Sequence, residues 1–198
     1  MQQWKCYVVM GNVRDRLVEE TLRARDSVGA EGDPTFTTPI PPNPDGSNPR
    51  QFPRNYLQKY KDRSRANGRQ YYSHIGILGD REQGSVQQRK NYEFFGAPVG
   101  IFFYTDLNYL NAWRDCGMFI QTVMLVARAE GLDTIAQGAW RNYEQIVRKY
   151  TKADSTETMI CGMALGYRDP DEKVMLRHLT SPLSLPPQTK HICAANFF

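Results

Sequence analysis

The amino-acid sequence predicts an α+β fold in which strands and helices pack in layers around one core. Three segments carry this prediction. Trp4 to Met10 alternates like a half-buried strand, Val99 to Tyr104 is a dense β-branched and aromatic run, and Trp113 to Glu130 is apolar on nearly every face. With 198 residues, of which 40% are apolar, the chain is long enough for one sizeable core and short for two. We therefore expect a single domain over residues 1–198.

In the N-terminal third, the predicted strand Trp4 to Met10 is followed by a helix. The helix is predicted from Val13 to about Ser27, with Asn12 as its cap. Its apolar face would comprise Leu17, Val18, Thr21 and Leu22. Residues 33–53 then contain seven prolines together with Gly, Asn, Ser and Thr, which cannot sustain a helix or a central strand. This segment is predicted to be a surface excursion that acts as a lid, an arm or a disordered loop.

The middle of the chain alternates between helical and extended patterns. Arg54 to Leu78 is rich in Arg, Lys and Tyr and has a break or kink expected at Gly68. Its helical spacing is carried by Leu57, Tyr60, Tyr71, Ile75 and Leu78, and Gln83 to Tyr92 predicts a further short helix. Val99 to Tyr104 predicts a central strand buried on both faces. The apolar helix Trp113 to Glu130 should end at Gly131. A helix without a polar face is either the centre of one subunit or contributes half its surface to a dimer interface.

The last third predicts an extended piece at Thr134 to Ala136, a small helix at Tyr143 to Tyr150 and a strand at Met159 to Tyr167. Gly162 and Gly166 within that strand indicate close approach by another element or by a ligand.

Composition limits the classes of partner. The net charge is +4, but basic and acidic residues are interspersed, so no nucleic-acid partner is predicted. The four cysteines are scattered without metal-ligand spacing, which indicates free thiols and no metal site. The longest apolar stretch, Gly117 to Ala129, is interrupted by polar residues and is too short for a membrane span. We therefore expect a soluble, cytoplasmic protein with no membrane partner.

No nucleophile–base pair, paired-carboxylate motif or phosphate-binding loop is present, so periodicity alone predicts no reaction. Three ordered blocks go further: NYEFFGAPVGIFFYTD, WRDCGMFIQTVMLVARAEGLDTIAQGAW and CGMALGYRDPDE. In their order and separation these blocks resemble the FMN-dependent nitroreductase family. The resemblance implies a three-layer domain with a central mixed sheet and a buried central helix at a dimer interface.

The same family places a segment similar to S-G-x-N-x-Q-P-W before its first core strand, and MQQWKCYVVMG resembles the end of that segment. Gln2 falls on the family's Gln, Gln3 replaces the Pro, and Trp4 falls on the Trp. The resemblance therefore implies that Gln2 binds the flavin. It also implies that the S-G-x-N portion and an upstream helix with an R-R-S-x-R signature are missing, and that the assigned start falls at an internal Met.

Other candidate cofactor-binding residues also follow from the resemblance. The loop Ile135, Ala136, Gln137, Gly138 would run beside the isoalloxazine, with backbone N–H groups on its redox-active edge and Gly138 permitting close approach. Arg177 is the candidate for the flavin phosphate, although the tail over about 180–198 does not resemble the family's ending. Trp113 is expected in the core and Asp115 in the first turn of the long helix. No side chain is assigned a catalytic role.

The resemblance implies an intertwined homodimer that binds FMN and uses NAD(P)H to reduce nitroaromatic, quinone or related small-molecule acceptors by a ping-pong mechanism. Residues 33–53 and Arg54 to Tyr72 would influence the choice of acceptor. Two alternatives stay open. One is a shortened, non-enzymatic relative that dimerises but binds FMN weakly, because two missing phosphate contacts would cost roughly 3 to 6 kcal/mol. The other is a reductive dehalogenase-like member of the superfamily.

Overall fold

The computed structural model describes residues 2–28, 54–106 and 111–169. These residues fall into two compact units. One unit contains residues 2–28, 79–106 and 111–169, and the other contains residues 54–78. The expected excursion at 33–53 and the tail at 180–198 lie outside the described residues.

The larger unit is built on a four-stranded sheet in the order β1-β2-β4-β3. Its strands are β1 (Trp4–Met10), β2 (Val99–Asp106), β3 (Asp133–Gln137) and β4 (Glu157–Gly166). All three predicted extended segments of the later chain are therefore strands. The three pairings are antiparallel, so the expected mixture of parallel and antiparallel pairs is not found among the described strands. The α+β class itself is confirmed.

The helices agree with the sequence prediction apart from their ends. They are α1 (Gly11–Val28), α2 (Arg54–His74), α3 (Arg81–Arg89), α4 (Ala112–Ala129) and α5 (Glu144–Thr151), with 3₁₀ segments at Lys90–Gly96 and Gly138–Tyr143. Asn12 is not the cap of α1, because the helix already begins at Gly11. Helix α2, which forms the smaller unit, continues through Gly68, so the predicted break there is wrong. A single glycine lowers helix stability without ending a 21-residue helix.

One face of the sheet is covered by α1, α5 and the two 3₁₀ segments. The predicted face of α1 lies here, with Leu17, Thr21 and Leu22 buried. Strand β2 contributes Phe102 and Tyr104, which pack in one cluster with Trp140 and Tyr143. Strand β2 is buried on both faces, as its sequence predicts, since its alternate residues Ile101 and Phe103 belong to the opposite cluster.

Helix α4 covers the other face of the sheet. Cys116 and Ile120 are buried against Ile101, Phe103 and Met163. The helix ends as predicted, because Gly131 has a φ of +79° and donates its N–H to the Arg128 carbonyl. The outer side of α4 is exposed and apolar, with Met118, Leu125 and Val126 each more than half exposed. The described residues therefore leave the outer side of α4 uncovered, and the dimer interface expected there stays a prediction.

The glycines of β4 report close packing within the chain. A Cβ on Gly162 would lie 2.5 Å from Cδ1 of Trp140, and one on Gly166 would lie 3.0 Å from Cδ of Pro98. Of the two expectations for these positions, approach by another element is confirmed.

A cluster of charged side chains lies between α5 and β4, on the side of the sheet that α1 and α5 cover. Glu144 is fully buried and accepts from Arg148 Nη2 at 2.8 Å and from the Met159 N–H at 3.0 Å. Burial raises the pKa of Glu144, while the Met159 N–H and the Arg148 guanidinium oppose that rise. The Tyr7 hydroxyl donates to Glu157 at 2.6 Å, and burial with this carboxylate raises the pKa of Tyr7 to about 12. Arg148 thus neutralises a carboxylate that water cannot reach.

Within the described ranges, no helix is both long and apolar enough to cross a lipid bilayer.

Candidate functional site

The loop Ile135 to Gly138 lies on an edge strand. Strand β3 pairs with β4 on one side, through Ile135↔Ala164 and Gln137↔Gly162, and ends the sheet on the other. Ile135 packs against the core under α1, and Gln137 is 2% exposed. Ala136 and Gly138 are exposed. The strand therefore turns its larger side chains inward and presents small residues, with their main chain, to the outside.

The space beside Gly138 is open. A Cβ placed on this glycine would meet no atom within 4 Å, and its φ is not in the left-handed region. Gly138 is thus required neither by a tight turn nor by packing within the chain. A flat group could approach the main chain here without displacing a side chain.

The side chain of Gln137 is fully engaged inside the protein. Its Nε2 donates to the Asn91 carbonyl at 2.7 Å, and its Oε1 accepts from Trp140 Nε1 at 3.3 Å. The side chain therefore cannot point toward a ligand at the exposed edge. Any contact that Gln137 made with a ligand at that edge would therefore be through its main chain.

The segment that receives this hydrogen bond has an unusual backbone. Phe94, Phe95 and Gly96 have φ values of +53°, +52° and +80°. Residues other than glycine avoid this left-handed region. Each one held there costs on the order of 1–3 kcal/mol of conformational free energy. Arg14 of α1 holds the segment from both sides, donating to the carbonyls of Glu93 and Ala97 at 2.9 Å each.

Gln2 lies at a different place. It lines an open depression of about 340 Å³ together with residues of β1 and α4, namely Trp4, Asp115, Met118, Phe119 and Thr122. Trp4 stacks on Phe119 with ring centroids 4.9 Å apart, and Gln3 Nε2 donates to Asp115 Oδ2 at 3.2 Å. The Gln3 hydrogen bond lowers the pKa of Asp115, so this carboxylate stays ionised.

The structure does not bring Gln2 into direct contact with Ile135 to Gly138. They belong to opposite edges of the sheet, three strand spacings or roughly 14 Å apart. The first turn of α4 links the two edges. Asp115 contacts Gln3, and the ring of Trp113 lies 5.6 Å from the guanidinium carbon of Arg141, three residues after Gly138.

Several expectations are corrected or lie outside the described residues. Trp113 is 42% exposed and is not a core residue, because it lies on the open side of the α4 N-terminus beside Arg141. Asp115 does lie in the first turn of α4. Arg177 and residues 33–53 fall outside the described ranges. Residues 54–72 belong to the smaller unit, so their proposed influence on acceptor choice stays a prediction.

Three residues around the candidate loop and the Phe94 turn, Arg14, Trp140 and Arg141, were not predicted from the sequence. Arg14 reads as one of several charges on an exposed helix face, and Arg141 as an ordinary polar residue of a turn. Trp140 carries a usable signal in the sequence, since a tryptophan two residues after the candidate loop is expected to pack against other large side chains. The structure places it fully buried, with its ring 4.6 Å from Phe94.

Nucleophilic and metal chemistry find no support in the described residues. There, no group of His, Cys, Asp and Glu is arranged to hold a metal ion. Cys161 lies close to the Gln137 N–H, but burial raises the pKa of its thiol to about 11. A thiol with that pKa is almost entirely protonated at neutral pH and is a poor nucleophile.

Comparisons with known proteins agree on one family. The family model described as "Nitroreductase family" matches residues 1–167. A 4-nitrobenzoate reductase of Nocardioides sp. (strain LMS-CY) is 33% identical over 172 residues, which cover 85% of this chain and 65% of that protein. A 4-nitrobenzoate reductase of Pseudomonas putida is 34% identical over 126 residues, covering 62% of this chain and 55% of that protein. The chain thus spans between about half and two thirds of these relatives.

Solved structures give the same fold. The FMN- and NADPH-dependent nitroreductase NfnB from Sphigopyxis sp. strain HMH superposes with a TM-score of 0.66 at 27% identity, covering 88% of this chain and 73% of that chain. The FMN-dependent nitroreductase NfnB from Mycobacterium smegmatis, in complex with NADPH, has a TM-score of 0.68 at 24% identity, covering 88% and 72%. At that identity the second match shows the fold alone.

Proposed function

The chain belongs to the nitroreductase family, and from that premise we propose that it binds FMN and uses NAD(P)H to reduce nitroaromatic compounds. The family match over residues 1–167 carries the proposal. The curated relatives that are 4-nitrobenzoate reductases favour a nitrobenzoate-like acceptor. Quinones are a broader class of acceptor, and their reduction should be assayed beside that of the nitroaromatic compounds.

The residues around the candidate loop fit a flavin. The exposed strand edge at Ala136 and Gly138 offers main-chain groups, and no atom of the described residues lies within 4 Å of a Cβ built on Gly138. Bound FMN would supply the hydride and electron transfer, so the chain needs only to bind it, orient it and leave one face accessible. In this proposal Ile135 to Gly138 line one edge of the ring, Gln2 contributes from the β1 edge, and Arg177 holds the phosphate.

One pocket would serve the electron donor and the acceptor in turn, because the chain has no separate dinucleotide-binding fingerprint. Initial rates should then give parallel double-reciprocal lines when NADPH and 4-nitrobenzoate are varied. Intersecting lines would indicate that both substrates bind together and would remove the ping-pong mechanism from the proposal.

The purified protein tests flavin binding directly. We expect the visible absorption bands of flavin, saturable uptake of FMN by stripped protein, and bleaching by NADPH that 4-nitrobenzoate reverses. A colourless protein that FMN does not saturate would instead support the non-enzymatic alternative. Bleached flavin that a halophenol reoxidises with halide release, and a nitro compound does not, would favour the dehalogenase-like alternative.

We also propose that the protein is a homodimer joined through α4. Met118, Leu125 and Val126 form an exposed apolar face on this helix, and Val8 and Met10 of β1 are about 60% exposed on the same side of the sheet. Contiguous apolar surface of this kind marks interfaces in soluble proteins.

The described cysteines Cys6, Cys116 and Cys161 are unpaired, which supports the expected cytoplasmic location.

Leu125→Glu is therefore expected to shift the protein from dimer to monomer, because a carboxylate on the α4 face would be desolvated by the partner copy. Sedimentation velocity at several concentrations measures the change. Val86→Glu is the matched control, since Val86 is an exposed apolar residue, at 50%, on α3 rather than α4. A dimer that survives Leu125→Glu unchanged, or that Val86→Glu disrupts equally, would contradict the placement of the interface.

A further inference from the structure

The amide of Gln137 makes two hydrogen bonds that together fix its orientation. Asn91 offers a carbonyl, which requires the NH₂ group of the amide, and Trp140 offers an indole N–H, which requires its oxygen. Only one of the two flipped orientations satisfies both partners. Because the side chain is 2% exposed, water cannot replace either bond.

Both partners are themselves held firmly. Trp140 is fully buried, stacked on Phe94 at 4.6 Å and edge-on to Phe102 at 5.3 Å. Asn91 is the second residue of the 3₁₀ segment Lys90–Gly96, whose left-handed residues Phe94 to Gly96 are held by Arg14 through the flanking carbonyls. The main chain at Gln137 is therefore attached through its own side chain to two rigid parts of the core.

Among the residues that the structure describes, none gives the neighbouring main chain a comparable attachment on its outer side. Strand β3 is an edge strand, its ladder with β4 ends at Gln137↔Gly162, and Ala136 and Gly138 are exposed. Gly138 also begins a 3₁₀ segment without a side-chain cap. The Gln137 amide is thus a buried polar contact that holds this end of the strand, together with the β3–β4 ladder and the Tyr92 hydroxyl, which donates to the Ala139 carbonyl at 3.5 Å.

We propose that Gln137 is a positioning residue that acts through the main chain of Ala136 to Gly138 on the reduction potential of the flavin, an inference that rests on the proposed function. Donors fixed in advance stabilise developing negative charge better than donors that must reorganise. Releasing the amide lets the N–H groups of this strand end move, and the reduced flavin loses stabilisation relative to the oxidised form. The flavin of the released variant is therefore harder to reduce.

The test compares Gln137→Met with Ile146→Ala. Methionine keeps the approximate volume of glutamine but makes neither hydrogen bond. Ile146 is 1% exposed in the same core cluster, and its side chain cannot hydrogen-bond the loop, so its truncation is the control for lost stability. Thermal melting of both proteins shows that the two changes are matched. If Gln137→Met does not fold, Trp140→Phe removes one of the two hydrogen bonds and keeps the aromatic packing.

Two readouts separate positioning from a structural role alone. In the FMN-loaded protein, Gln137→Met is expected to weaken binding of reduced relative to oxidised flavin about tenfold, a shift of about 30 mV to more negative potential for a two-electron couple, while Ile146→Ala leaves the potential unchanged. In the flavin-free protein, amide hydrogen exchange at Ala136 to Gly138 is expected to rise in Gln137→Met and not in Ile146→Ala.

The possible results separate failure of this inference from failure of the proposed function. A wild-type protein that does not take up FMN would overturn the proposed function and, with it, the effect on potential. A wild-type protein that binds FMN, with a Gln137→Met potential equal to that of Ile146→Ala, would overturn this inference alone. Unchanged hydrogen exchange in Gln137→Met would overturn it whether or not flavin binds.

Discussion

Arg148→Met is expected to destabilise the protein by roughly 3–5 kcal/mol, the usual effect of removing one partner from a buried ion pair. Glu144 is fully buried and would lose the guanidinium 2.8 Å from its Oε1. Arg148 also donates to the Asp154 carbonyl at 2.6 Å and lies 5.4 Å from the Tyr104 ring centre, contacts that methionine cannot replace. Chemical denaturation of the two proteins at one pH measures the loss.

The same variant has a characteristic pH dependence. Burial already raises the pKa of Glu144, and removing the opposing cation raises it further. The folded state then holds the proton more tightly than the unfolded chain, whose Glu pKa is about 4.3. The folded state is therefore stabilised by binding this proton. That stabilisation is fully present below the pKa of Glu in the unfolded chain and is lost as the pH rises through the pKa of Glu144 in the folded protein. Arg148→Met should therefore lie closest to the wild type in acid and fall further behind toward neutral pH.

Arg23→Met is the matched control for this change. Arg23 pairs with Glu19 at 2.8 Å on α1, but both side chains are about 70% exposed. Exposed pairs contribute about 0–1 kcal/mol, so the control should differ little from the wild type at any pH. Equal losses in the two variants would show that the buried pair contributes no more than a surface one.

Gly100→Ala is expected to lower stability by about 3 kcal/mol, the upper end of the range for overpacked cores. A Cβ on Gly100 would overlap the Phe94 ring, where the farthest of the three nearest ring carbons, Cε2, lies at 2.9 Å. The ring cannot move away easily, because Trp140 stacks on it and Arg14 holds the backbone around it. For a chain of this size the melting temperature should fall by roughly 6–12 °C.

Gly84→Ala controls for the change from glycine to alanine itself. Gly84 lies in α3, where an added Cβ would have no atom within 4 Å and where φ is not left-handed. Alanine in a helix interior stabilises by about 0.5–1 kcal/mol relative to glycine, so this variant should melt slightly higher. A Gly100→Ala protein that melts with or above the wild type would mean that the Phe94 turn adapts to the added methyl.

The sequence predicted best where one physical requirement dominates. Val99 to Tyr104 could only be a covered strand, because such a run exposes too much apolar surface otherwise, and β2 is buried throughout. The end of α4 was predicted from Gly131, because the position after the helix has a left-handed backbone and that conformation favours glycine. Gly162 indicated a close neighbour, and Trp140 is that neighbour.

The missed features depend on contacts between distant parts of the chain. Glu144 and Arg148 are four residues apart on α5, which is the spacing of an ordinary surface pair, and only the tertiary fold buries them. Phe94 and Phe95 adopt left-handed backbone that neither residue type favours, held by Arg14 from about 80 positions away. The candidate site was located through family resemblance, since Ala136, Gln137 and Gly138 carry no chemical motif of their own.

The position of the first turn of α4 has a consequence for how the protein would behave in dilute solution. This turn touches the Gln3 segment through Asp115 and Arg141 through Trp113, while the outer face of the same helix is the proposed contact between copies. Separating the proposed copies would remove the contact on this helix and so disturb both ends of the proposed flavin site together. By mass action, cofactor retention would then depend on protein concentration, with FMN dissociating as the copies part.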